Sequence, residues 1–162
     1  MSFNLETFLA YRLDRISEAV SRHFQPVYRD QHGMTRPEWK VLAHLGEAET
    51  LTAREIVRRT GLHKTKVSRA VSALEKRRWL DRTRDEADRR IEHLALTARG
   101  RTEYDKLVGL LMARERELLH RLDGDKMRTI AEALSILEGM TGSKSQDKPE
   151  AGRQERADHR QV

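Results

Sequence analysis

The sequence has no cysteine among its 162 residues. Disulfides, thiolate metal sites and thiol redox sensing are therefore excluded, and nothing points to an oxidising compartment. No run approaches the ~18 apolar residues that a membrane span needs. The N-terminal stretch MSFNLETFLAYRL has no basic segment leading into an apolar one, so no signal peptide is expected. Catalytic signatures are missing too: there is no nucleophile motif, no Gly-rich phosphate loop and no isolated carboxylate pair in an apolar setting. Seven histidines are present, but no two stand at the i, i+4 spacing that puts two metal ligands on one helix face. These absences lead us to expect a cytoplasmic protein that is not an enzyme and needs no cofactor.

What is present is charge. Hydrophobic residues make up 37% of the chain and charged residues 36%. That balance is polar for a monomeric globule and suits a thin, helix-rich protein that completes its core by association. The net charge is +6, and it is unevenly placed. Between Thr52 and Arg90 stand 13 Lys or Arg against 6 Asp or Glu, while the rest of the chain carries 19 against 20. One segment thus holds the whole excess, which is the electrostatic footprint of a polyanion binder.

Apolar periodicity lays out the elements. Leu5, Leu9, Leu13, Ile16, Val20, Phe24 and Val27 recur at three or four residues, one face of a long helix that Pro26 should bend or end. Thr35 and Glu38 have capping-box spacing with Pro37 in the first turn, and Trp39, Leu42, Ala43 and Leu45 form the buried side of the helix that follows. Thr52 and Glu55 open another helix in the same way, and Gly61 stops it. The next helix, within LHKTKVSRAVSALEKRRW, turns Val67, Ala70, Val71 and Leu74 inward. Trp79–Thr83 and Ile91–Leu96 read as two strands of a hairpin with a charged loop between them. Thr97 caps a long helix reaching about Leu122, and a last helix spans about Asp125 to Met140.

Two short helices across a glycine turn, followed by a hairpin, make a helix-turn-helix with a wing. With the four apolar residues inward, Thr65, Arg69, Ser72 and Lys76 fall on the outer face, flanked by Lys66 and Ser68. Small hydroxyls with Arg and Lys suit a helix in a major groove, because Arg can take both acceptors of a guanine and short side chains let the backbone approach. Arg89 and Arg90 at the hairpin tip are placed for the adjacent minor groove. Asp88 is placed to hold the Arg90 guanidinium, and Asp85 and Glu86 to fix the loop through Arg82, Arg84 or Arg89.

The stretches MTRPEWKVLAHL, LTAREIVRRTGLHKTKVSRAVSALEKRRWLDR and DEADRRIEHLALTARG resemble the MarR family of winged helix-turn-helix transcriptional regulators. The last holds a D-x-R wing signature (Asp88, Arg90) and the L-T-x-x-G that opens the fifth helix (Leu96, Thr97, Gly100). The resemblance covers about residues 5 to 140. His63 departs from it, standing where a Ser, Asp or Thr cap is usual.

The resemblance implies a mainly α fold with a small β-hairpin wing, the winged helix-turn-helix being flanked by dimerisation helices. Residues 1–33 would be an N-terminal dimerisation helix and 34–97 the DNA-binding lobe. Residues 98–140 would be C-terminal dimerisation helices, and 141–162 a disordered tail, since that tail has almost no large apolar residue. The function implied is a homodimeric, sequence-specific binder of a pseudo-palindromic double-stranded DNA operator, a repressor released by a small aromatic acid. Arg12, His23, Trp39 and His44 are the candidates for the effector site. A metal-responsive regulator of the same fold and a sequence-tolerant DNA-organising protein are the alternatives.

Overall fold

The computed structural model describes residues 3–142. The chain divides into two units, one up to Arg121 and the other from Leu122 on. The first holds helices α1 (Leu9–His32), α2 (Arg36–Glu47), α3 (Ala53–Thr60), α4 (Lys64–Lys76) and α5 (Ala98–Leu119). Between them lie strands β1 (Leu51–Thr52), β2 (Leu80–Arg84) and β3 (Glu92–Leu96). The second unit contains α6 (Gly124–Thr141). Most of the tail expected over 141–162 lies outside the described residues; Thr141 ends α6 and Gly142 caps it.

The first helix differs from expectation at its N-terminal end. Asn4 caps a single 3₁₀ turn over Leu5–Thr7, so α1 begins only at Leu9. Pro26 sits inside α1 and does not end it. The turn beyond Pro26 is held by packing: Tyr28 is buried and its ring stacks on Trp39 at 6.3 Å. The helix stops at Gly33, whose φ of 58° is left-handed and whose N–H donates to the carbonyls of Arg29 and Tyr28.

Both expected capping boxes form. Thr35 Oγ1 accepts from the Glu38 N–H, and Thr52 Oγ1 from the Glu55 N–H, with each glutamate reaching back to its threonine N–H. The backbone and hydroxyl of Thr52 hold the Glu55 carboxyl below the usual carboxylate range. Val41, Leu42 and Leu45 of α2, Ile56 of α3, and Val67, Ala70, Val71 and Leu74 of α4 form the core, closed by Leu51, Trp79, Leu80 and Leu94.

The sheet has three strands rather than two, all antiparallel, in the order β1-β3-β2. Leu51 pairs with Leu94 and Thr52 with His93, so β3 is the central strand. Two residues are too few to show alternation, and their partners lie some forty positions away.

The chain turns from α4 into β2 at Arg78, a non-glycine residue with φ of 61°. Its carbonyl accepts from Thr97 Oγ1 and the carbonyl of Trp79 from the Thr97 N–H, which seats the start of α5 against this turn. Gly100 is required here. A Cβ at that position would lie 2.0 Å from the Trp79 carbonyl oxygen.

Candidate nucleic-acid interface and adjoining cavity

The core of α4 fixes what it shows to solvent. With Val67, Ala70, Val71 and Leu74 buried, Thr65, Lys66, Ser68, Arg69 and Lys76 are exposed and Ser72 is half-buried. His63 does cap the helix. Its Nδ1 accepts from the Thr65 N–H at 3.3 Å and lies 3.1 Å from the Thr65 hydroxyl. Lys64, an exposed residue at the first position of α4, was not among the candidates. It shares the first turn with Thr65 and Lys66, the end that meets bases in this type of docking.

In the wing, the expected pairings are replaced by others. Asp88 takes the backbone of Arg90 and not its guanidinium: Oδ1 accepts from the Arg90 N–H at 2.9 Å. The Asx turn this makes shapes the loop directly, through an atom that cannot change rotamer. Among the described residues, Asp85 binds no arginine. Its Oδ1 accepts from the N–H groups of Ala87 and Asp88, both at 2.9 Å, and its Oδ2 lies 3.0 Å from His93 Nε2. The His93 hydrogen bond, followed by those two backbone bonds, holds the Asp85 carboxyl below its ordinary range. Arg82 turns away from the loop to bridge Glu75 of α4 and Glu92 of β3, which ties the wing to the end of α4. Arg89 and Arg90 remain exposed at the tip.

Elsewhere in the first unit, α1, α2 and α5 border an open cavity of about 330 Å³. Phe24, Tyr28, Trp39 and Met112 supply much of its wall, and Arg36 and Lys40 bring positive charge one helical turn apart on α2. Burial, then the neighbouring Arg36, pushes the Lys40 amine below the usual lysine range. Arg36 also reaches Glu18 of α1 at 3.3 Å. Of the four effector candidates, the structure brings only Trp39 into this wall. Arg12 borders a separate depression on α1 with Glu6, Arg15, Ile16 and Ala19. His23 is half-buried with its ring edge-on to Phe24, and His44 is half-buried on α2; neither lines the cavity.

Among the described residues, no helix is long and apolar enough to cross a membrane, and no three His, Asp or Glu side chains gather as a metal site.

Helix, turn, recognition helix and three-stranded wing define the class: a winged helix-turn-helix. Residues 32–91 match the model of the MarR family. Solved structures agree on the fold. The PcaV transcriptional regulator of Streptomyces coelicolor, solved with its natural ligand, superposes with a TM-score of 0.69 at 22% identity, over 87% of this chain and 99% of PcaV. BpsR of Bordetella bronchiseptica, whose DNA binding is regulated by 6-hydroxynicotinic acid, gives 0.73 at 20% identity over 90% and 99%. Wild-type MarR of E. coli in its apo form gives 0.69 at 20% over 80% and 96%. No curated protein matches the chain as a sequence relative.

Proposed function

We propose that this protein is a transcriptional repressor that binds a pseudo-palindromic double-stranded DNA operator as a homodimer and lets go when a small aromatic acid enters the cavity between α1, α2 and α5. The observation that carries the DNA reading is α4 itself. Four buried residues on one face leave hydroxyls, Lys66 and Arg69 on the other, on a segment that holds the chain's whole positive excess. Arg69 reads a base, Lys76 meets phosphate, and Arg89 and Arg90 enter the minor groove beside the recognition helix.

Support for the homodimer comes from apolar surface left uncovered on α1. Leu9, Leu13, Ile16 and Val20 follow helical spacing and are all exposed, Ile16 at 55%. A second copy would cover such a stripe. Support for the effector comes from the cavity's chemistry. Aromatic walls suit a ring, and Lys40 with Arg36 suits its carboxylate. BpsR, of similar fold, is regulated by a molecule of that class.

The test separates base reading from charge. Arg69→Ala should cost about 1–3 kcal/mol on the best site and relax base preference at one position per half-site. Lys76→Ala should weaken all sequences alike and lower the salt slope by about one. Binding isotherms on selected and scrambled duplexes over a salt series read both. A common loss on every sequence from both variants would remove the base-reading role of Arg69.

A further inference from the structure

Arg77, the residue that closes α4, reaches outside its own lobe. Its Nη1 donates to the His32 carbonyl at 2.7 Å and its Nη2 to the Gly33 carbonyl at 3.1 Å. These are the carbonyls at the C-terminal end of α1, where the helix dipole is negative and acceptors lack intrahelical partners. The same guanidinium lies 3.7 Å from Glu38, the glutamate of the α2 capping box, and 5.4 Å from the centroid of the Trp79 ring. Its side chain keeps only 31% of its accessible surface. One planar group thus meets the end of α1, the start of α2 and the exit of α4 together. A lysine ammonium is a point charge without a planar face, whereas the guanidinium spreads its donors over a fork that bonds two carbonyls while its face lies over the Trp79 ring.

From this juxtaposition we propose that Arg77 is a positioning residue that fixes the angle of the recognition helix against α1, and through it the half-site spacing the dimer accepts. The inference rests on the operator reading above, in which α1 joins the two protomers. Position 77 is eleven residues from Lys66, or about 16 Å along the helix. A tilt of roughly 10° about the Arg77 end would therefore move the base-reading end by about 3 Å, close to one base-pair step of ~3.4 Å. The tie is built for angular control: it grips the C-terminal end of α4, a full helix length from the base-reading first turn, where a small change in angle has the longest lever. None of its partners lies on the outer face of α4, so its loss should leave base readout within one half-site intact.

The experiment is selection from a duplex library in which two half-sites stand at variable separation, performed with the full-length wild type, Arg77→Met and Arg77→Lys. The wild type should enrich one spacing and disfavour spacings one base pair longer or shorter by about tenfold or more. Arg77→Met should enrich the same half-site bases while those neighbouring spacings come within about threefold of the best. Arg77→Lys, which keeps the charge and loses the fork, should also broaden the preference, so the reading stands on this variant if methionine unfolds the lobe by circular dichroism. A folded variant with spacing as sharp as the wild type overturns the inference alone. A wild type that enriches no paired half-sites overturns the operator reading and this inference with it.

Discussion

The lobe from Met34 to Leu94 and the helices on either side of it in sequence treat apolar surface in opposite ways. Among the described residues, every buried apolar residue except Tyr28 and Leu107 falls within that lobe. By contrast α1, three times the length of α3, buries only Tyr28, and α6 buries nothing. On α6 alone, Ile130, Leu134, Ile136 and Met140 are all exposed. The lobe, with Tyr28 of α1 and Leu107 of α5 closing its core, buries its apolar residues within one protomer and can present a fixed outer surface. The helices carry apolar faces with helical periodicity that a single protomer leaves in water, which is the expected state of an interface before its partner arrives. The cavity opens where the two regimes meet, between α1, α2 and α5.

The sharpest break in that comparison comes from one substitution on each side. Leu74→Ala, in the lobe core, should lower stability by about 2–5 kcal/mol. Denaturant titration should give the same loss at every protein concentration. Ile16→Ser together with Leu13→Ser should instead leave the lobe folded and weaken self-association, so that melting becomes strongly concentration-dependent. Sedimentation across a dilution series reads this directly. A double variant that associates as tightly as the wild type would remove α1 from the interface.

A smaller effect belongs to the wing. Asp85→Ala removes a negative charge near DNA, which by Coulomb's law should strengthen binding. It also removes the acceptor for two backbone N–H groups and the partner of His93. The account predicts weaker binding, with Asp88→Ala behaving alike for its Asx turn. Tighter binding by both variants at fixed salt would mean that the wing acts only as loose charge.

The smallest effect is a pH dependence at the cavity. Lys40 must be protonated to hold a carboxylate, and burial lowers its pKa. Affinity for an aromatic acid such as benzoate should therefore fall as pH rises through a range below the ordinary lysine value of about 10.4. Calorimetric titration of the wild type and Lys40→Gln would show it, the variant losing both affinity and the alkaline decline.

The distribution of what the sequence disclosed follows the same divide. The inward face of α4 and the two capping boxes were legible because each is encoded within a dozen residues: a 3.6 period, or a Thr and Glu three apart. Pro26 left open whether α1 ends or bends there, because what carries the helix past it, burial of Tyr28 against Trp39, is tertiary. Strand β1 escaped because its pairing to β3 has no local pattern. In the wing, counting charges suggested Asp–Arg pairs. The fold instead brings His93 across from Thr83 and within reach of Asp85, and leaves Arg82 nearer Glu75 and Glu92. The cavity was the least legible part. Arg12 was chosen from the α1 pattern, whereas the cations that line the wall, Arg36 and Lys40, come from α2, and only packing of α1 and α5 around that helix makes them a site.

The claim on which the rest depends is that the outer face of α4 reads DNA sequence. The most direct measurement is the affinity of the full-length protein for a duplex recovered by selection against its affinity for a scrambled duplex of equal length, at one physiological salt concentration. The account predicts a ratio of about 10³ or more, collapsing in Arg69→Ala mainly through loss on the selected site. Equal affinities for the two duplexes would contradict it, and would make the positive segment between Thr52 and Arg90 a sequence-tolerant DNA surface.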